Sequence, residues 1–182
     1  MTKTLELFTL KCALISSFAQ TDTLSGRVVR VTDGDTIVVL DADKVQHKIR
    51  LQGIDAPERR QAFGTKSKEH LSDLVAGKTV EVDYSKYDRY GRVLDIVLVN
   101  GEDANLEQVE AGMAWHYKKY QREQSASDRI KYSDAELEAR RQKIGLWHDA
   151  NPMPPWDYRQ AERDRRKSME PFVRKSTLRG AQ

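Results

Sequence analysis

Alternating apolar and polar positions run through much of the first hundred residues and predict short β-strands. Five runs have the two-residue period of a half-buried strand: residues 23–31, 36–40, 45–51, 78–84 and 93–99. The first two flank the sequence DGDT, in which Asp-Gly is a strong hairpin signal. The first three runs therefore predict a meander that is complete before residue 53.

The apolar period changes from two to 3.6 at three places, which predicts helices at residues 65–76 and 104–114 and within 128–143. The residues expected to face inward are Leu71, Leu74 and Val75 in the first helix, Leu106, Val109 and Met113 in the second, and Ile130, Leu137 and Ile144 at the third. Five short strands with one helix inserted and two following predict an α+β fold of the OB type, a five-stranded Greek-key β-barrel with about three helices.

The N-terminal segment is predicted to be a signal peptide. Residues 1–19 carry Lys3 and Lys11 around a short apolar run that ends in Ser17-Phe18-Ala19, a pattern typical of cleavage after Ala19. Because Lys11 interrupts the apolar run, a cytoplasmic N-terminus is the alternative.

The C-terminal segment differs in composition from the predicted domain, residues 20–150. The sequence NPMPP at 151–155 breaks regular structure. Residues 157–182 contain eight Lys or Arg against four Asp or Glu, a net charge of +4. This basic tail, residues 151–182, is predicted to be a mobile or weakly helical arm.

Composition narrows the protein class. A chain of 182 residues suits one domain that can bury a core without disulfides, and its single cysteine, Cys12, excludes an internal disulfide. Charged residues make up 32% of the chain, and the net charge is +3, which is compatible with a polyanionic partner. No apolar run is long enough to span a bilayer, so no membrane partner is expected.

Several polar residues lie where the strand pattern does not require them. Asp35 opens the second predicted strand and Asp55 follows the third, so a hairpin brings them near each other. Two carboxylates and a loop carbonyl would supply hard oxygen ligands of the kind that calcium prefers. Taken singly, Asp33 and Asp55 have simpler interpretations, as a turn residue and a solvated loop residue.

Basic residues accompany these acids. Arg50 lies five residues before Asp55, and Arg92 enters the fifth predicted strand. Planar guanidinium groups match phosphate oxygens bidentately, and Glu58 is placed to hold or activate a water. A metal, two arginines and a carboxylate are the components of a phosphodiester hydrolase.

The chain resembles the staphylococcal nuclease (thermonuclease) family. The matching stretches are DGDTIVV, then after ten residues RLQGIDAPE at 50–58, and DRYGR at 88–92. EAGMAW at 110–115 and IGLW at 144–147 also fit, so the resemblance runs from Thr23 to Trp147.

This resemblance implies an OB-fold and Ca²⁺-dependent hydrolysis of DNA and RNA that leaves 3′-phosphate ends. It also implies roles for individual positions. These are metal ligation by Asp35, Asp55 and the Ala56 carbonyl, phosphate contact by Arg50 and Arg92, water activation by Glu58, support behind the ligands by Asp33, and base stacking by Tyr117 and Tyr120. Metal ligation is the alternative role for Glu58, and packing is the alternative role for the two tyrosines.

Some positions depart from the family pattern. Ala56 stands where threonine is common, the segment from Glu58 to Gly64 is short, and Asp95 replaces a small residue of the fifth strand. The same fold also occurs in non-catalytic nucleic-acid-binding or scaffold domains, which is the alternative function. We expect an exported monomer, periplasmic or secreted, since resting cytosolic Ca²⁺ is scarce; a cytoplasmic DNA-processing enzyme is the other possibility.

Overall fold

The computed structural model describes residues 22–84 and 87–179, so the predicted signal peptide lies outside the described residues. The strands in chain order are β1 Asp22–Asp33, β2 Thr36–Leu40, β3 Gln46–Leu51, β4 Ile54–Asp55, β5 Thr79–Tyr84, β6 Val93–Asp95, β7 Val97–Val99, β8 Glu102–Asp103 and β9 Trp115–His116. The helices are α1 Gly64–Val75, α2 Ala104–Glu110, α3 Ala126–Arg141 and α4 Pro155–Arg179. The five predicted strands and three predicted helices are all found.

Seven strands form one sheet in the order β6-β3-β2-β1-β5-β7-β8, and β4 pairs with β9 separately. The hydrogen-bonded ladder does not close on itself within the described strands. Its two sides are connected by one segment, Val93–Val99, because β6 pairs with β3 and β7 pairs with β5. With its helices this is an α+β fold of the OB class.

The fifth predicted strand breaks at Ile96 into β6 and β7, and side chains satisfy its backbone at the break. Asp95 Oδ1 accepts the Ile96 N–H at 2.7 Å, and Asn105 Oδ1 accepts the Val97 N–H at 3.2 Å. Asn105 Nδ2 also donates to the Asp95 carbonyl at 3.2 Å. Asp95 and the start of α2 therefore support the point at which this segment changes partner strand.

Two apolar clusters form the core. The larger one lies between the sheet and α1, where Leu71 and Val75 are fully buried as predicted. The smaller one gathers the rings of Trp115 and Trp147, whose centroids lie 4.3 Å apart, together with buried Leu146. The residues that follow α3 therefore pack back onto the domain.

Helix α3 packs through a face that the sequence analysis did not predict. Ile130 is 63% exposed and Leu137 is 67% exposed, so the predicted inward positions are wrong. The buried face instead carries Tyr132, Glu136 and Ala139. Polar partners make this possible, because the Tyr132 hydroxyl donates to Asp103 Oδ2 at 2.7 Å and Glu136 pairs with basic side chains.

The basic tail contains helix α4. Trp156 in its first turn packs against the tryptophan cluster. Partial burial of this ring stabilises the helix start in an otherwise highly charged segment. Across residues 22–84 and 87–179, no helix is both long and apolar enough to cross a bilayer.

The buried face of α3 leads to a stability prediction. Tyr132→Phe removes the hydrogen bond to Asp103 at a fully buried position and should lower the free energy of unfolding by about 1–3 kcal/mol. Ile130→Ala, on the exposed face of the same helix, should change it by less than about 0.5 kcal/mol. Urea unfolding of both variants measures this, and a larger loss in Ile130→Ala would contradict the assigned face.

Candidate active site

The turn between β1 and β2 is held against two helices. A Cβ built at Gly34 would overlap Ser67 Oγ of α1 and lie 2.8 Å from Ala56 Cβ, so only glycine fits there. Gln108 of α2 donates from Nε2 to the Gly34 carbonyl at 2.6 Å and to the Ser67 carbonyl at 3.1 Å. Strand β2 spans Thr36–Leu40 as predicted, and Asp35 is the last residue of the turn that leads into it.

Arg50 lies between two buried carboxylates and contacts both. Its Nη1 lies 3.0 Å from Asp35 Oδ2, and its Nη2 lies 2.9 Å from Asp55 Oδ1. The two aspartates are 6% and 1% exposed. Asp35 also accepts the Ala56 N–H at 2.8 Å and the Thr36 hydroxyl at 3.0 Å. The structure thus brings together the residues for which the resemblance implied metal ligation.

Antiparallel pairing explains this convergence. The register of β2 and β3 sets Thr36 opposite Arg50, and the Leu51 N–H donates to the Asp35 carbonyl at 2.9 Å. Strand β4 follows directly and carries Asp55, whose partner in β9 is Trp115. Short strand ends therefore hold both acids and the arginine with little conformational freedom.

The acids of the site influence one another. Burial raises the pKa of Asp33 to about 7, and the neighbouring charge of Asp35 adds to the shift. Burial also raises the pKa of Asp55; a hydrogen bond from Arg159 opposes this, and the charge of Asp35 adds to it. Asp33 also lines the cleft and accepts the Asp35 backbone N–H at 3.3 Å. The raised pKa values thus reflect burial and the repulsion between carboxylates that lie close together.

Glu58 lies at the rim of the same site and is less buried than the aspartates. Its side chain is 40% exposed, and its Oε1 accepts a hydrogen bond from Arg159 Nη1 at 2.9 Å. The N–H of Glu58 is held by Gln61 Oε1 at 3.1 Å. This carboxylate therefore has a defined position that is still accessible to water.

Arg92 lines the same cleft and directly precedes β6, the strand that pairs with β3. Its Nε and Nη2 lie 2.7 and 2.6 Å from Asp88 Oδ2. Although burial raises the pKa of Asp88, hydrogen bonds from Arg92 and the neighbouring backbone lower it overall. Asp88 thus stays ionised and fixes the direction of the Arg92 guanidinium.

Tyr117 and Tyr120 lie along one wall of the cleft, which has a volume of about 800 Å³. Their ring centroids are 5.2 Å apart with an edge-to-face arrangement. The ring of Tyr117 stacks on Trp156, with centroids 5.5 Å apart and planes inclined by 20°. Both tyrosines therefore reach the cleft, and Tyr117 already has an aromatic partner.

Two residues that support this site were not predicted from the sequence. Gln108 could have been recognised, because it lies three residues after Asn105 on the buried face of a short helix. No sequence pattern indicates Arg159, since it lies 104 positions after Asp55, to which it donates two hydrogen bonds.

Comparison with known proteins identifies the family. A family model described as staphylococcal nuclease homologue matches residues 48–149. An Escherichia coli protein described as an uncharacterized endonuclease is 48% identical over 137 residues, covering 75% of this chain and 85% of its own. A micrococcal nuclease of Shigella flexneri is 40% identical over 148 residues, covering 76% and 82%, and Protein ParB of Escherichia coli is 42% identical over 152 residues, covering 79% and 83%.

An OB-fold whose cleft combines buried carboxylates with guanidinium groups defines a hydrolase of the nuclease class. The chain belongs to the staphylococcal nuclease family, because the family model covers more than half of its residues and these relatives match about three quarters of it.

The bridging position of Arg50 leads to a second prediction. Arg50→Lys keeps the charge but loses the planar fork that reaches both aspartates, so the rate of plasmid cleavage should fall by about 10²–10³-fold while the fold survives. Arg141→Lys, at a surface pair with Glu138, is the matched control and should keep the wild-type rate. Near-wild-type turnover by Arg50→Lys would give Arg50 a structural role alone.

Proposed function

We propose that this protein is a Ca²⁺-dependent nuclease that hydrolyses phosphodiester bonds of DNA and RNA and leaves 3′-phosphate ends. The observation that carries this proposal is the contact of one guanidinium, Arg50, with two buried carboxylates, Asp35 and Asp55. Carboxylates held close together favour a divalent cation, and a guanidinium beside them is suited to a phosphate.

The donor set fits calcium. Asp35 and Asp55 offer carboxylate oxygens, and the adjoining backbone of Ala56 offers a carbonyl. In the described part of the chain, no three His, Cys, Asp or Glu side chains are grouped to hold a metal, so water or substrate must complete the six to eight oxygen ligands that calcium takes. When bound, calcium supplies positive charge that stabilises the charge developing on the phosphate oxygens.

The arginines orient the substrate in this proposal. Arg50 is anchored by Asp35 and Asp55, and Arg92 is anchored by Asp88, so both guanidinium groups are oriented before substrate arrives. Pre-oriented donors need little rearrangement as charge builds on the phosphate, which is the condition for strong electrostatic stabilisation.

Glu58 acts in this proposal as the general base that takes a proton from the attacking water. Its 40% exposure and its position at the rim, three residues after the end of β4, suit a group that holds water rather than a buried ligand. The 5′-oxygen is the leaving group, which yields the 3′-phosphate end.

Tyr117 and Tyr120 are proposed to stack on nucleotide bases along the cleft wall. Both tyrosines line the cleft that also contains Asp55 and Glu58, which supports this role. Aromatic stacking does not depend on base identity. It suits an enzyme that accepts DNA and RNA with little sequence specificity.

We also propose export of the protein as a monomer to the periplasm or the medium. The support is the lysine-flanked apolar pattern of residues 1–19 and the higher Ca²⁺ concentration outside the cytosol.

Calcium dependence gives the third prediction. Cleavage of plasmid and of RNA should need Ca²⁺ and stop in excess chelator, and Mg²⁺ should substitute poorly because it demands near-octahedral geometry. Asp35→Ala should abolish cleavage by removing a charged ligand, whereas Asp73→Ala, on the exposed surface of α1, should not. Full cleavage in excess chelator would contradict the calcium requirement.

The role of Glu58 gives the fourth prediction. Glu58→Gln keeps the side-chain shape but removes the base, so kcat should fall by about a hundredfold or more with little change in calcium affinity. Asp55→Asn, measured beside it by calorimetric calcium titration, should lose affinity sharply. If Glu58→Gln loses calcium equally, Glu58 is a metal ligand; if rate and affinity both survive, it has no catalytic role.

A further inference from the structure

Helix α4 reaches into the cleft through one side chain. Arg159 Nη2 lies 2.7 Å from Asp55 Oδ2, and its Nη1 lies 3.2 Å from Asp55 Oδ1 and 2.9 Å from Glu58 Oε1. One guanidinium thus occupies both oxygens of Asp55 and one oxygen of Glu58. Burial lowers the pKa of Arg159, but hydrogen bonds to both carboxylates raise it overall, so it remains charged.

The start of the same helix is docked by aromatic packing. Trp156 stacks on Tyr117 with centroids 5.5 Å apart, and it meets the ring of Trp115 edge-to-face at 5.6 Å. Pro155 is buried beside it. Trp156 and Arg159 are three positions apart, so a single helical turn sets Trp156 on Tyr117 and Arg159 in the cleft.

These two contacts fall on groups that the proposed function uses. Arg159 engages both oxygens of Asp55, and Arg50 contacts Oδ1 as well, so a cation bound by Asp55 would add a third positive group, which the two guanidinium groups repel. Trp156 packs on one face of Tyr117, the residue proposed to stack on a base, and so couples the docking of α4 to the wall of the cleft. The docked helix and a loaded site are therefore in competition.

We propose that the first two turns of α4 form an intramolecular cap, in which Trp156 docks the helix on Tyr117 and Arg159 holds Asp55 and Glu58 until calcium and nucleic acid displace it. This cap rests on the proposed calcium site. It makes the apparent calcium affinity weaker than the intrinsic affinity by the fraction of molecules in which the cap is open.

Calcium titration by calorimetry, without substrate, tests the cap on the full chain. Arg159→Ala should bind calcium at least about tenfold more tightly than wild type, since the competing guanidinium is gone. Trp156→Ala should also bind more tightly although it leaves every charge in place. Arg165→Ala removes a charge from the same helix, at a residue paired with Glu162, and should match wild type.

Hydrogen exchange gives a second readout. In wild type, calcium should speed exchange of the backbone amides of residues 158–163 and leave those of residues 67–75 in α1 unchanged. In Arg159→Ala the fast exchange should already be present without calcium.

The outcomes separate this proposal from the calcium proposal. Equal calcium affinity in wild type, Arg159→Ala and Trp156→Ala would overturn the cap and leave the calcium site intact. If Arg159→Ala binds calcium more tightly but Trp156→Ala does not, Arg159 acts only by repelling the cation locally, and the cap is overturned. If no variant binds calcium, the calcium proposal fails and the cap fails with it.

Discussion

The shared contact of Arg50 with Asp35 and Asp55 is the interaction on which the rest of the site depends. Two carboxylates removed from water repel each other, by about 4 kcal/mol for unit charges about 4 Å apart at an effective dielectric constant of about 20. Arg50 compensates this repulsion from a position that β2–β3 pairing sets opposite Thr36. The strand ends can therefore keep two acids in one place, which is the condition for attracting a cation and a phosphate.

The helices make this strand geometry rigid. Gln108 ties the turn before Asp35 to both α1 and α2, and Gly34 permits the close approach because it has no Cβ. Tyr132 extends the support to α3 through its bond to Asp103, the residue that caps α2. Packing outside the cleft thus supports the turn that positions Asp35.

The cleft of this nuclease combines rigid and exchangeable contacts. Asp35, Asp55 and Arg50 are held by backbone and buried hydrogen bonds, while Arg159 and Glu58 meet at the partly exposed rim. Ion pairs near solvent contribute less to stability than buried ones, so the rim pair is the easier one to exchange. The difference in burial divides the site into a fixed part and a part that can respond to ligands.

Much of the fold and the site could be predicted from local sequence. The two-residue period predicted the five strand segments. The stretches DGDT and RLQGIDAPE placed Asp35, Arg50 and Asp55 at neighbouring strand ends, because hairpin pairing has few alternatives.

The inward face of α3 was mispredicted, because Tyr132 and Glu136 are buried with polar partners from other elements, and a period of apolar residues does not reveal such partners. Arg159 lies 104 residues from Asp55, and its place in the cleft was decided by the docking of Trp156 on Tyr117 and Trp115. The sequence by itself thus determined the strands and the acids at their ends, through local pairing rules. Only the tertiary structure decided which distant side chains meet those acids, because such meetings depend on the packing of whole elements.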